Sequence, residues 1–171
     1  MRKICYSVAM SLDGYIAGPN GEDDWIVKDP EIDFGAMFAK YDTLVMGRKT
    51  FERMVRAGYA SMPGMKIVVF SKTLRAADYP GVTIVAEKME EVVRDLRDAP
   101  GKDVWLFGGG SLFHTFLEKG FVDTVEVGLI PVLLGGGIPI LPAPAKCESL
   151  KLLDLRVYKK SGIVMLTYAL K

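Results

Sequence analysis

The sequence predicts a three-layer αβα sandwich on a mixed, mostly parallel sheet that closes in a C-terminal antiparallel hairpin. Apolar strand patterns alternate with helical ones over residues 2–119, as in parallel strands joined by crossover helices. After Gly120 that alternation stops. Two final apolar strands, 150–158 and 163–170, then flank the turn Lys159-Lys160-Ser161-Gly162, which reads as a hairpin. The chain has 171 residues, 50% of them hydrophobic, which suits a single domain over residues 1–171 with a well-filled core.

The elements follow in order. Residues 2–10 read as a first strand, and 11–29 as a long loop with Asp13-Gly14 and Gly18-Pro19-Asn20-Gly21 turns. A helix is expected over 30–41, with proline in its first turn, acids nearby and a Phe34/Met37/Phe38/Tyr41 stripe. A buried strand at 43–46 precedes a helix over 49–56. Strands at 66–70 and 82–85 come next, then a helix over 88–98 whose Met89, Val92, Val93 and Leu96 face inward. A strand at 104–107 leads into a helix at 111, with Leu112, Phe113, Phe116 and Leu117 at helical spacing. Residues 121–129 alternate as a strand, and 131–144 form a Gly/Pro-rich loop.

Composition narrows the function. With 22 basic and 21 acidic residues the net charge is +1, which offers no field for nucleic acid or an anionic membrane. Cys5 and Cys147 lie far apart without ligand spacing, and there is one histidine, His114, so no metal site is expected. No leader or membrane span is visible, and a reduced, cytoplasmic setting is expected.

The chemistry sits where strands end. The strand before Gly108-Gly109-Gly110-Ser111-Leu112 turns straight into a helix, exposing backbone N–H groups without intervening Cβ atoms. Such a turn suits a phosphate, although glycine runs also make plain tight turns. Residues 43–46 end in Gly47-Arg48-Lys49-Thr50, and 66–70 in Ser71-Lys72 with Arg75 behind. Each cation alone could be a solvated charge. Their shared position at the carboxyl ends of strands, where open α/β sheets bind ligands, points to an anionic ligand.

Met10-Ser11-Leu12-Asp13-Gly14-Tyr15-Ile16-Ala17, Met46-Gly47-Arg48-Lys49-Thr50-Phe51-Glu52, Phe70-Ser71-Lys72 and Phe107-Gly108-Gly109-Gly110-Ser111-Leu112 occur in that order. Together they resemble the dihydrofolate reductase fold. Leu129-Ile130-Pro131-Val132-Leu133-Leu134-Gly135-Gly136-Gly137 is similar to the reductase domain of the bacterial riboflavin-biosynthesis deaminase–reductase, and the chain as a whole looks like the stand-alone subgroup. The resemblance implies NADPH as cofactor. Gly47, Arg48, Lys49 and Thr50 would meet the pyrophosphate and 2′-phosphate side, and Ser71 and Lys72 the 2′-phosphate itself. Gly108, Gly109, Gly110, Ser111 and Leu112 would cradle the pyrophosphate, with one cis Gly–Gly peptide among them. Ala9 and Ile16 would border the nicotinamide, under a mobile loop that carries Asp13 on the substrate side.

Dihydrofolate reductases grip the pteridine with a carboxylate in the first turn of the first helix. Asp29, Glu31 and Asp33 lie around that place, and Asp33 is the candidate catalytic carboxylate. Its other reading is a surface carboxylate on the helix dipole. Trp25 and Phe34 are candidate substrate walls or, equally, core aromatics. The Asp-Asp-Pro that riboflavin-pathway reductases carry after the second strand is replaced by Gly-Arg-Lys-Thr. There is no deaminase zinc pattern.

The expected function is thus hydride transfer from NADPH to a small planar, pterin- or pyrimidine-like substrate. This relates the chain to dihydrofolate reductase and to 5-amino-6-(5-phosphoribosylamino)uracil reductase. The rival is a non-catalytic NADPH- or nucleotide-binding protein on the same fold. The last two strands carry apolar residues in both phases, Leu153, Leu155 and Val157 against Leu150 and Leu152, which predicts a homodimer. A hairpin covered by the chain's own helices is the alternative.

Overall fold

The computed structural model describes residues 1–171. Its centre is one eight-stranded sheet in the order β5-β4-β3-β6-β1-β7-β10-β9. The strands are β1 (Ile4–Ser11), β3 (Tyr41–Gly47), β4 (Lys66–Phe70), β5 (Val82–Val85), β6 (Asp103–Gly108), β7 (Thr124–Ile130), β9 (Leu150–Tyr158) and β10 (Ile163–Leu170). Neighbours from β5 to β7 pair in parallel, and β10 runs antiparallel to both β7 and β9. The mixed sheet and its terminal hairpin are therefore as the sequence predicts.

Period-two alternation divides the core. Ile4 and Tyr6 of β1, Val45, Val68, Leu106, Val125 and Val127 face α3 (Met89–Asp98) and α4 (Gly110–Glu118). There Tyr6 stacks on Phe113 with ring centroids 3.9 Å apart. Cys5, Tyr41, Leu44, Met46, Ile67 and Trp105 face α2 (Arg48–Arg56), which contributes Phe51 and Met54. Burial raises the Cys5 thiol and the Tyr41 phenol above their ordinary pKa values.

Three features depart from the sequence reading. The first helix, α1, covers only Phe34–Phe38. Asp33 starts it as N-cap, and Tyr41 belongs to β3, where its ring packs 5.3 Å from that of Trp105. The Tyr41 side chain thus continues the apolar stripe from a strand. A small sheet pairs β2 (Tyr15–Ala17) with β8 (Ile138–Pro139), inside segments read as loops. Such short pairings leave little periodic signal. Finally, a bulge in β9 changes the phase of its side chains. Leu150 and Leu152 pair with Leu170 and Tyr168, while Leu155 and Val157 pair with Leu166 and Val164. All eight therefore share one face, and Leu153 is the extra residue.

Candidate active site

The parallel strands β3 and β6 end side by side, with Met46 opposite Gly108. Each feeds a helix directly. Helix α2 starts at N-cap Gly47 and α4 at N-cap Gly109, and neither has a side-chain cap or an acid in its first turn. The first N–H groups of both helices thus lack intrahelical acceptors at neighbouring points on the sheet edge. Arg48 and Lys49 add positive charge to the positive end of α2, opposing the dipole. An anion between the turns would reverse that penalty. The Gly108–Gly109 peptide is cis, within the run where the resemblance places one.

Two hollows flank these turns. The outer one is lined by Gly47, Ser71, Lys72, Lys88, Ser111, Leu112 and Lys119 among others. Ser71 is buried, and its Oγ accepts from the N–H groups of Thr73 (3.2 Å) and Leu74 (3.1 Å), which shapes the turn after β4. Lys119 pairs with Glu90 and Lys88 with Glu91, but Lys72 has no acidic partner within 4.0 Å. Arg75, considered with Lys72, makes two bonds to Asp78 instead and does not line the hollow.

The inner cleft holds about 580 Å³ and brings together Ala9, Ile16, Lys49, Thr50 and Gly109. Trp105 and Phe107 from β6 line it, as does Ser7 from β1. Arg53 and Arg56, one and two turns beyond Lys49 on α2, also reach it. Arg53 holds Asp23 at 2.9 Å, tying the long loop to α2. Arg48 is turned to Glu52 at 2.9 Å and lines neither hollow.

Several expected residues lie outside the cleft. Asp33 is exposed, and its Oδ1 accepts from Ala36 N–H at 2.8 Å, so it caps α1 as the helix-dipole reading has it. Asp29 is buried with Oδ1 on Glu31 N–H, and Glu31 pairs with Lys160. Trp25 donates Nε1–H to Glu22 O and packs on the Ile130/Tyr158/Ile163 cluster; Phe34 is 44% exposed. The walls are Trp105 and Phe107 instead, which the two-residue spacing before the glycine run already places on one strand face.

Asp13 is a loop clamp. It accepts from Ser11 Oγ at 2.6 Å, Leu134 N–H at 3.1 Å and Gly135 N–H at 2.7 Å. The Ser11 hydroxyl, helped by those two N–H groups, lowers its pKa to about 2. A lowered carboxylate pKa contributes stability that is full above the unfolded value, about 3.9, and lost as pH falls through the folded one. Amide protection at Leu134 and Gly135 should therefore fade between about pH 4 and pH 2. In Asp13→Asn it should be weak throughout and independent of pH in that window. Unchanged protection in the variant would remove Asp13 as the tie.

The parallel sheet, the paired uncapped helix starts and the aromatic-walled cleft define a dihydrofolate reductase-like domain. Dihydrofolate reductase from Enterococcus faecalis, solved with NADP(H), superposes with a TM-score of 0.72 at 19% identity, over 99% of this chain and 96% of that one. Within this class the chain belongs to the RibD C-terminal domain family, whose model matches residues 2–164. It is 34% identical to the uncharacterized protein YyaP of Bacillus subtilis (strain 168), over 98% of this chain and 94% of that protein. The diaminohydroxyphosphoribosylaminopyrimidine deaminase/5-amino-6-(5-phosphoribosylamino)uracil reductase of Thermotoga maritima matches at 17% identity with a TM-score of 0.75. There 99% of this chain covers 57% of the longer protein. No helix is long and apolar enough to cross a membrane.

Proposed function

We propose that the chain is an NADPH-dependent reductase acting on a small planar substrate with a polarised C=N or C=O bond. The observation that carries this reading is the pair of uncapped helix starts at Gly47 and Gly109, set between two hollows. They fit a pyrophosphate. Lys72, beside the buried Ser71, would meet the 2′-phosphate in the outer hollow, with Ser111 and Leu112 across from them. Ala9 and Ile16 would border the nicotinamide, with Lys49 and Thr50 at the mouth of the inner cleft. When bound, NADPH supplies the hydride. The chain orients the substrate against Trp105 and Phe107 and excludes water from one ring face.

Lys72→Ala tests the cofactor assignment. Charge-assisted phosphate contacts contribute about 1.5–3 kcal/mol. The variant should weaken NADPH binding tenfold or more and leave NADH nearly unchanged. Equal losses for both would remove Lys72 from that role. Turnover is tested by NADPH oxidation with pterins, pyrimidines and small carbonyls. Tight binding with no oxidation across that panel would favour the rival, a non-catalytic NADPH-binding protein.

We further propose that it works as a homodimer through the apolar face of β9 and β10.

A further inference from the structure

The inner cleft is unbalanced in charge. Lys49, Arg53 and Arg56 line it, at i, i+4 and i+7 on one face of α2. Two carboxylates, Asp23 and Glu52, line it as well. Glu52 is held at 2.9 Å by Arg48, which lies outside the cleft. Asp23 is thus the one acid left for three cations. It takes Arg53, at 2.9 Å, while Lys49 and Arg56 have no carboxylate within 4.0 Å.

The pair between Asp23 and Arg53 separates easily. The two side chains are 63% and 38% exposed, and an ion pair this open to water contributes little. Asp23 follows a turn closed by its own bonds: Gly18 N–H donates to Glu22 O at 2.9 Å, and Asn20 Nδ2 donates to Glu22 Oε1 at 2.9 Å. Releasing Asp23 therefore breaks one weak contact and leaves that turn closed. Arg53 and Arg56 are three residues apart and so neighbours on the helix surface. An anion between them would meet two guanidinium groups where Asp23 meets one, each able to donate charge-assisted bonds.

We propose that Arg53 exchanges Asp23 for an anionic group, a carboxylate or a phosphate, carried by the planar substrate, with Arg56 as the second ligand of that group. The Asp23 carboxylate is then a tethered competitor, filling the anion position until the substrate arrives. The place of the ring rests on the reductase reading above: it lies against Trp105 and Phe107, beside Ala9. Lys49 stays with the pyrophosphate side at the start of α2. Along the helix axis Arg53 is about 6 Å and Arg56 about 10 Å beyond Lys49. The anionic group is therefore carried on a tether, clear of the reacting bond. A ring without such a group leaves Arg53 on Asp23 and gains nothing from Arg56. Selectivity among planar rings thus falls to α2 rather than to the aromatic walls.

Matched pairs of small molecules test the exchange, titrated by calorimetry into the NADPH-saturated protein: pterin-6-carboxylate against pterin, and uridine 5′-phosphate against uridine. In at least one pair the anion should bind about tenfold or more tighter than its uncharged parent, and that pair tells carboxylate from phosphate. Arg53→Gln and Arg56→Gln should each erase most of that advantage. Asp23→Asn should raise the anion's affinity about three- to tenfold, because the competitor is gone. The uncharged parents and NADPH should bind all three variants within about twofold of wild type, and Tm should hold within about 2 °C. Opposite signs for the two members of one ion pair are the signature of exchange, since a purely structural tie would weaken binding from either side. If Asp23→Asn fails to strengthen anion binding, or either arginine variant fails to weaken it, the exchange is overturned. Equal affinity within both matched pairs, or a loss of NADPH affinity in Arg53→Gln, also overturns it. NADPH oxidation is scored separately: anion selectivity without turnover of any substrate leaves the exchange standing and sinks the reductase reading.

Discussion

Gly109→Ala should abolish NADPH binding at micromolar cofactor while leaving the fold intact. A Cβ built on Gly109 meets only Thr50 Oγ1, at 3.6 Å, an ordinary contact. Its backbone, at φ −87°, is open to any residue. The new methyl therefore harms nothing in the protein alone. It stands between the Thr50 hydroxyl and the start of α4, in the space that a pyrophosphate between the two helix starts would fill. Losing two N–H contacts to phosphate, at about 1.5 kcal/mol or more each, corresponds to a hundredfold or greater fall in affinity. The Tm should stay within about 2 °C of wild type, as for substitutions that disturb no packing.

Gly110→Ala is the informative contrast. Its Cβ would come within 2.5 Å of Pro139 O and 3.1 Å of Ile140 O, so the 138–142 loop must move. That overpacking should lower the Tm by roughly 2–10 °C. Fluorescence titration and thermal melts on the two variants separate a blocked site from a damaged one. Wild-type NADPH affinity in Gly109→Ala would remove the glycine turn from cofactor binding.

How much was legible in the sequence follows from how local each signal is. The glycine turns, Lys49 and Lys72 could be read because each lies directly after the strand that places it, whereas Arg48 and Arg75 turn to Glu52 and Asp78. Asp33 shows the limit. Four residues before Met37 it stands where a cleft-facing carboxylate would, yet an Asp at that point satisfies the helix start more directly, through Ala36 N–H. The bond between Glu126 and Ser7, 119 positions apart, exists only because strand pairing brings the two opposite. The Asp13 tie to Leu134 and Gly135 is equally non-local. Arg53 and Arg56 join the cleft because helical spacing stacks them beyond Lys49, a pattern present in the sequence but overshadowed by the turn before it.

The second large effect concerns assembly. Wild type should sediment at twice 18.8 kDa at micromolar concentration, and Leu155→Glu should sediment as the 18.8 kDa monomer. An antiparallel hairpin at a sheet edge ordinarily turns its polar face to water. Here the polar residues Lys151, Asp154 and Arg156 point the other way from the leucines, because each pairs with the opposite phase of β10. The bulge at Leu153 brings Leu150, Leu152, Leu155 and Val157 onto one face, and these are 40%, 49%, 54% and 54% exposed. On β10 they continue into Val164, Leu166, Tyr168 and Leu170, all only partly buried. The helices α3 and α4 pack over the other end of the same sheet face and reach Leu170, while the four β9 side chains stay exposed. A contiguous apolar patch rarely faces water in a monomer. A two-fold contact with a second copy would cover both patches at once. Glutamate at Leu155 would place two charges in the middle of such an interface, and burying an unpaired charge disfavours it strongly. A wild-type monomer at that concentration would show that these leucines face water and that the homodimer is wrong.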